Sequence, residues 1–206
     1  MNKLGRHVIC LLFYLEDAMR KVEPIRDVDD IERMKDYLRS RSHRNYVLIM
    51  CGLFSGLRIS DIVKLQVRDV LRDHIEIIEQ KTGKAKSFAI NSQLRKAFDE
   101  YIKEYELKSY DYLFPSRKRK TVDGVRISHI GRVAAYQIFK EAANHVGLYN
   151  IGTHTMRKTF GYHFYKQTQN VVLLMEIFNH ASPDITLRYI GYKQDELDKA
   201  MLDFNY

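Results

Sequence analysis

Cysteine is scarce in this chain. Only Cys10 and Cys51 occur among 206 residues, both in apolar runs and neither in a CxxC or Cys/His ligand spacing. That usage argues against a disulfide framework and a structural zinc site, and it fits a reducing cytoplasm. Proline and glycine are sparse as well, at three and ten residues. With 45% hydrophobic and 29% charged residues, the composition is that of a folded soluble protein and not of a disordered or collagen-like one. No run reaches the roughly 18 apolar residues that a membrane span requires. The stretch Val8 to Leu15 is apolar but short, ends in Glu16 and Asp17, and lacks a small-residue cleavage signature, so it reads as a helix and not as a leader. Internal repeats and Gly/Ser/Pro-rich linkers are missing too, which makes one compact unit the expectation.

Positive charge is what the chain has in excess. Lys and Arg number 34 against 26 Asp and Glu, a formal net charge of +8. Such a balance fits a polyanionic partner, and without a spanning segment it points to nucleic acid more than to a bilayer. A basic protein with neither partner has the same charge, so charge alone does not decide.

Periodicity predicts a mainly α protein with a small antiparallel β-sheet (α+β), without parallel βαβ units. A first helix runs to about Met19. Asp27 and the acidic residues after it open a second, in which Ile31, Met34, Tyr37 and Leu38 recur at helical spacing. A buried helix follows across Tyr46 to Phe54, stopped at Gly56, and Ser60-Asp61 is expected to cap a short helix. Then the period changes: two β-rich runs around Lys81-Thr-Gly-Lys read as a hairpin, the one convincing sheet. Helical spacing returns from Ser92, with Leu94, Phe98, Tyr101, Ile102 and Tyr105 on one face. Tyr110 to Arg126 is the longest irregular stretch. Helices are predicted over Ile130–Ala143, His154–Gln167, Val171–Phe178, Pro183–Ile190 and Asp195–Phe204.

Certain residues form a set with chemical meaning. His154 and Arg157, three apart, project from one face. A guanidinium repels a metal cation but suits a phosphate, since it offers paired planar donors, and histidine can donate or shuttle a proton. Arg58 lies at a helix junction, Lys81 at the hairpin tip, His180 in a turn and Tyr189 on the helix after it. Each alone is ordinary: a surface charge, a turn histidine, a core tyrosine. Together, two arginines, a lysine, two histidines and a phenol suffice for phosphoryl transfer to tyrosine without a metal.

Five segments carry a resemblance. They are Ser55-Gly-Leu-Arg-Ile-Ser-Asp-Ile-Val-Lys-Leu, Gln80-Lys-Thr-Gly-Lys, Tyr112-Leu-Phe-Pro-Ser, His154-Thr-Met-Arg-Lys-Thr and Phe178-Asn-His-Ala-Ser-Pro-Asp-Ile-Thr-Leu-Arg-Tyr. In this order and spacing, from about Asp27 to the C-terminus, the chain resembles the tyrosine recombinases, or phage integrase family. The resemblance implies the tyrosine recombinase catalytic-domain fold. It implies that Arg58 and Arg157 are an arginine pair, Lys81 a leaving-group acid, His154 and His180 the two histidines, and Tyr189 the nucleophile, with Tyr192 the runner-up. The outcome would be a site-specific recombinase working through a 3′-phosphotyrosyl link to double-stranded DNA. A non-cleaving DNA-binding regulator on the same scaffold and a type IB topoisomerase or telomere resolvase are the rival readings.

No cofactor is expected, because the phosphotyrosyl ester conserves the bond energy, and no metal, because the residue set supplies the chemistry without one. Lys84, Lys86, Arg117, Lys118, Arg119, Lys120 and Arg132 are expected along the DNA backbone. A homo-tetramer on DNA, a monomer free in solution, no membrane association and a place on the nucleoid complete the expectation. The chain reads as one catalytic domain over 1–206. Within it, 1–26 is an N-terminal helix and lead-in, 27–192 the core, and 193–206 a tail helix whose apolar face packs in cis or on a neighbour. The family's separate N-terminal core-binding domain is expected to be absent, through a naturally short chain or a fragment. One departure from the family is local: Phe178-Asn179 stands where Leu-Gly is usual before the second histidine.

Overall fold

A computed structural model describes residues 22–78, 83, 85–116, 121–122, 125–126 and 128–205. The N-terminal helix expected before Met19, Cys10, Lys81, Lys84 and the run from Arg117 to Lys120 lie outside the described residues.

The centre is a helix that is apolar nearly all round. Helix α1 spans Val28–Arg41, capped by the Asp27 side chain, which accepts from the Asp29 amide at 2.8 Å. Helix α2, His43–Ser55, follows immediately, and its residues from Tyr46 to Leu53 are all buried. A helix buried on every face has neighbours on every side: α1, α4 (Ser92–Glu104), α5 (Arg132–His145) and α6 (Thr155–Thr168) pack around it. Cys51 is enclosed there, and burial pushes its thiol up to about 12, which makes it an inert core atom.

Gly56 ends α2 with φ 63°, in the left-handed region, as its position in the sequence predicts. A Cβ there would lie 2.5 Å from the Phe160 ring. The next helix starts earlier than expected. Helix α3 is Ile59–Ile62, with Arg58 and not Ser60 or Asp61 at the cap position. The reason is backbone closure: the Arg58 carbonyl already accepts from the amides of Asp61 and Ile62 at 2.8 and 3.0 Å.

After a 3-10 turn at Val67–Val70, strands β1 (His74–Ile78) and β2 (Ala85–Ala89) pair antiparallel, His74 opposite Ala89 and Ile78 opposite Ala85. Ile75 and its partner Phe88 are buried, so one face of the predicted hairpin rests on the core. The irregular stretch contains a second small pair that the sequence reading missed, β3 (Thr121–Val122) with β4 (Val125–Arg126). Within the Tyr112 to Ser116 motif, Leu113 and Phe114 are fully buried, and the Leu113 amide donates to the Leu65 carbonyl at 2.8 Å. That motif fills the core.

Helices α7 (Val171–Phe178), α8 (Pro183–Tyr189) and α9 (Tyr192–Asp203) close the chain, each within a few residues of its predicted bounds. Tyr162, Leu174, Phe178 and Ile190 form a second apolar cluster beside the main one. Among the described residues no helix is long and apolar enough to cross a membrane.

Candidate functional site

Arg157 stands between the two apolar clusters and is 3% exposed. Burying a guanidinium is costly unless its donors are filled. One nitrogen donates to the Gly56 carbonyl, and Nη2 donates to the Phe178 carbonyl at 3.2 Å. The turn that ends α2 and the end of α7 therefore both hold it.

Arg58, His154 and Arg157 line one cleft of about 920 Å³, together with Ser60, Lys64 and Arg132. Arg58 comes from the cap of α3 and His154 from the residue before α6, whose side chain makes no cap bond and remains exposed. Nδ1 of His154 lies 3.2 Å from the Tyr189 hydroxyl. Tyr189 is half-buried, and its ring meets those of Phe178 and His180 edge-on, at 5.5 and 5.1 Å. Burial pushes its phenol up, while Arg157 and Arg58 pull it down without overcoming that push. The phenol therefore holds its proton at neutral pH, with an imidazole nitrogen in reach to accept it.

His180 follows Asn179, which takes φ 56° and closes α7 in the left-handed region. The departure from Leu-Gly thus leaves the turn intact, because asparagine tolerates that conformation. Burial first, then the charges of Arg157, Arg58 and Lys86, hold the His180 imidazole below its ordinary value, in the neutral form.

The other half of the departure lies against Arg157. Phe178 is 1% exposed, with its ring centroid 4.3 Å from Cζ of Arg157. Gly161 also approaches that ring: a Cβ there would come within 2.7 Å of its Cε2 and Cζ.

Tyr192 sits elsewhere. It packs edge-on against Tyr165 at 4.7 Å, in a tyrosine cluster on α6. Of the cations expected to follow the DNA backbone, Arg132 is exposed at the start of α5 in the cleft. Lys86 is engaged differently: its ammonium donates to the carbonyls of Glu176 and Ile177, each at 2.7 Å, at the C-terminal end of α7. Lys81, Lys84 and Arg117 to Lys120 lie outside the described residues, as noted.

Sequence reasoning passed over Lys158. It is buried, its ammonium lies 5.3 Å from the Tyr189 ring centroid, and it donates to the Val22 carbonyl at 2.6 Å. The lead-in is fastened along α6 by further bonds. The Ile25 amide donates to Thr159 Oγ1 at 2.9 Å, and the Ile25 carbonyl lies 2.9 Å from His163 Nε2. Arg26 grips both carboxylate oxygens of Asp195 in the first turn of α9. Among the described residues no cluster of three His, Cys, Asp or Glu side chains is placed to hold a metal.

The phage integrase family model matches residues 26–196. The probable integrase/recombinase YoeC of Bacillus subtilis is 46% identical over 179 residues, covering 86% of this chain and 93% of that protein. Tyrosine recombinase XerH of Campylobacter jejuni is 23% identical over 188 residues, 90% of this chain and 51% of that protein. Among solved structures, XerH recombinase bound to palindromic difH substrate, in a post-cleavage complex, has a TM-score of 0.66 at 22% identity, over 88% of this chain and 53% of that one. The catalytic domain of bacteriophage HP1 integrase has a TM-score of 0.59 at 21% identity, over 89% and 95%. The chain thus spans nearly all of the Bacillus relative and about half of XerH.

Proposed function

The chain belongs to the phage integrase family of tyrosine recombinases, and we propose that it cuts and rejoins double-stranded DNA at a specific site with Tyr189 as the nucleophile. One observation carries this reading: Arg58, His154 and Arg157 line one cleft, and the Tyr189 hydroxyl lies 3.2 Å from His154 with its ring edge-on to His180. Phosphoryl transfer to tyrosine requires that set, and a protein that only binds DNA has no use for a phenol beside a base.

In the step we propose, the Tyr189 oxygen attacks a backbone phosphorus as His154 Nδ1 takes the phenol proton. The oxygen–phosphorus bond to the 5′ side breaks, leaving a 3′-phosphotyrosyl ester and a 5′-hydroxyl. Arg58 and Arg157 neutralise charge on the non-bridging oxygens. Lys81 is assigned to protonate the leaving oxygen by its motif alone. Attack by the 5′-hydroxyl of another strand reverses the step. Arg132 at the cleft supports a backbone contact beside the reacting phosphate, and the DNA complexes among the structural neighbours support a DNA partner for this chain.

A homo-tetramer on DNA belongs to the same reading. Helix α9 buries no residue, and Leu197, Met201, Leu202 and Phe204 are 56, 68, 83 and 61% exposed. An apolar face of that kind suits a seat on a neighbouring copy. We place the protein on the nucleoid of its host, as one domain with the core over 27–192.

The test is a nicked suicide duplex from candidate sites flanking the encoding element. The wild-type chain should form a covalent adduct, and Tyr189→Phe should bind the duplex without forming one. Loss of the adduct in Tyr192→Phe, with Tyr189→Phe still active, would overturn the assignment.

A further inference from the structure

The imidazole of His180 is held from behind. Its Nδ1 lies 3.1 Å from Oγ1 of Thr186 on α8. Thr186 is fully buried, and the same oxygen lies 3.1 Å from the carbonyl of Ser182, one turn earlier. A threonine hydroxyl has one proton, and a carbonyl can only accept. Given to Ser182, in the back-bond that a helical threonine makes to the fourth residue before it, that proton leaves a lone pair of Thr186 turned toward His180.

Resting on the reading of Tyr189 as nucleophile, we propose that Thr186 is a positioning residue of the cleavage reaction. It fixes His180 as the Nδ1–H tautomer and leaves Nε2 as a bare lone pair. The neutral ring then has nothing to donate from Nε2. The groups facing it are Arg58 before α3, Arg157 on α6, Lys86 on β2 and Tyr189 on α8. Three of these are cations and oppose a further positive charge. A bound phosphate supplies the compensating negative charge, and Nε2 then takes one proton from solvent. The resulting imidazolium donates from both nitrogens, Nδ1 to Thr186 and Nε2 to a phosphate oxygen. His180 thus bonds the phosphate only when a phosphate is there to charge it, and it does not compete with His154 for the phenol proton.

The test uses the full chain labelled with 15N-histidine and a long-range 1H–15N correlation spectrum at alkaline pH, without DNA. The expected pattern for His180 is a protonated Nδ1 and a bare Nε2. Thr186→Val removes the acceptor at nearly constant volume and should move the ring toward the Nε2–H form. Thr186→Ser should restore the wild-type pattern. On a suicide duplex, Thr186→Val should slow adduct formation by about tenfold to a hundredfold, the scale known for losing the partner behind a metal-ligating histidine. DNA binding should be unchanged, and Thr186→Ser should recover most of the rate. A wild-type spectrum with the proton on Nε2, or a Thr186→Val chain that cleaves at the wild-type rate, overturns the proposal. A wild-type chain that forms no adduct on any site overturns the recombinase reading instead. The two failures are told apart because the spectrum requires no DNA.

Discussion

The guanidinium of Arg157 rests on the ring of Phe178, and that ring in turn occupies the space left by the missing side chain of Gly161. Phe178 and Gly161 therefore both bear on where the Arg157 guanidinium sits. Gly161→Ala should cost about 1–3 kcal/mol in urea denaturation, the usual penalty for an overpacked core, and should slow adduct formation by displacing Phe178. Adding Phe178→Leu should return part of both losses, a coupling of about 0.5–3 kcal/mol in a double-mutant cycle. Strict additivity would show that the two residues do not share the space.

Lys158 should tune the Tyr189 phenol through the face of its ring. A phenolate ring attracts a cation more strongly than a phenol ring does, so the ammonium favours the ionised form. Lys158→Met should push the Tyr189 phenol further up and move the alkaline rise of the cleavage rate to higher pH. The rate at neutral pH should fall roughly two- to thirtyfold, the range of a cation–π contact worth about 0.5–2 kcal/mol. Lys158→Arg should keep most of the activity. An unshifted pH profile in Lys158→Met would show that the lysine serves only to hold Val22.

The depressed His180 should leave its mark on stability as well as on chemistry. Above its ordinary value of 6.5 neither the folded nor the unfolded ring is protonated. As pH falls through that value, the unfolded chain binds a proton that the folded ring refuses, so stability is lost on acidification. His180→Asn should flatten that slope, as read from urea midpoints at pH values on either side of 6.5. A slope identical to wild type would mean that the imidazole titrates normally in the fold.

The pair Arg26 and Asp195 should govern the tail helix more than the domain. Burial raises the Asp195 carboxyl, but bonding to Arg26 prevails and holds it below the carboxylate range. Its contribution is therefore present above the ordinary carboxylate value of 3.8 and lost as pH falls through the folded one. Asp195→Asn should lower local protection of α9 by about 1 kcal/mol in amide hydrogen exchange and leave the protection of α2 unchanged. Equal losses in both helices would show that α9 unfolds only with the core.

Local rules carried much of this fold. Gly56 and the Asp27 cap act within a turn of their own position, and the hairpin announces itself by a change of period. The start of α3 was misjudged because Ser60 and Asp61 look like caps, whereas the backbone of Arg58 had already closed the turn. The candidate residues are legible as chemistry in motif order, which already ranks Tyr189 over Tyr192, and the packing of Tyr192 against Tyr165 adds what the sequence does not carry. Nothing near Lys86 in the chain reveals its bonds to the carbonyls of Glu176 and Ile177. Thr186 and Lys158 were hidden for a similar reason. Each lies near a group that only the assembled helices bring close.

The lead-in from Val22 to Arg26 has a mechanical meaning. It is stitched to α6 at Lys158, Thr159 and His163, and to α9 at Asp195. A pull on the chain before Val22 is therefore felt first at a lysine that touches the Tyr189 ring and next at the base of the tail helix. Tension entering at one end of the core reaches both the phenol and the tail through a strap a few residues long.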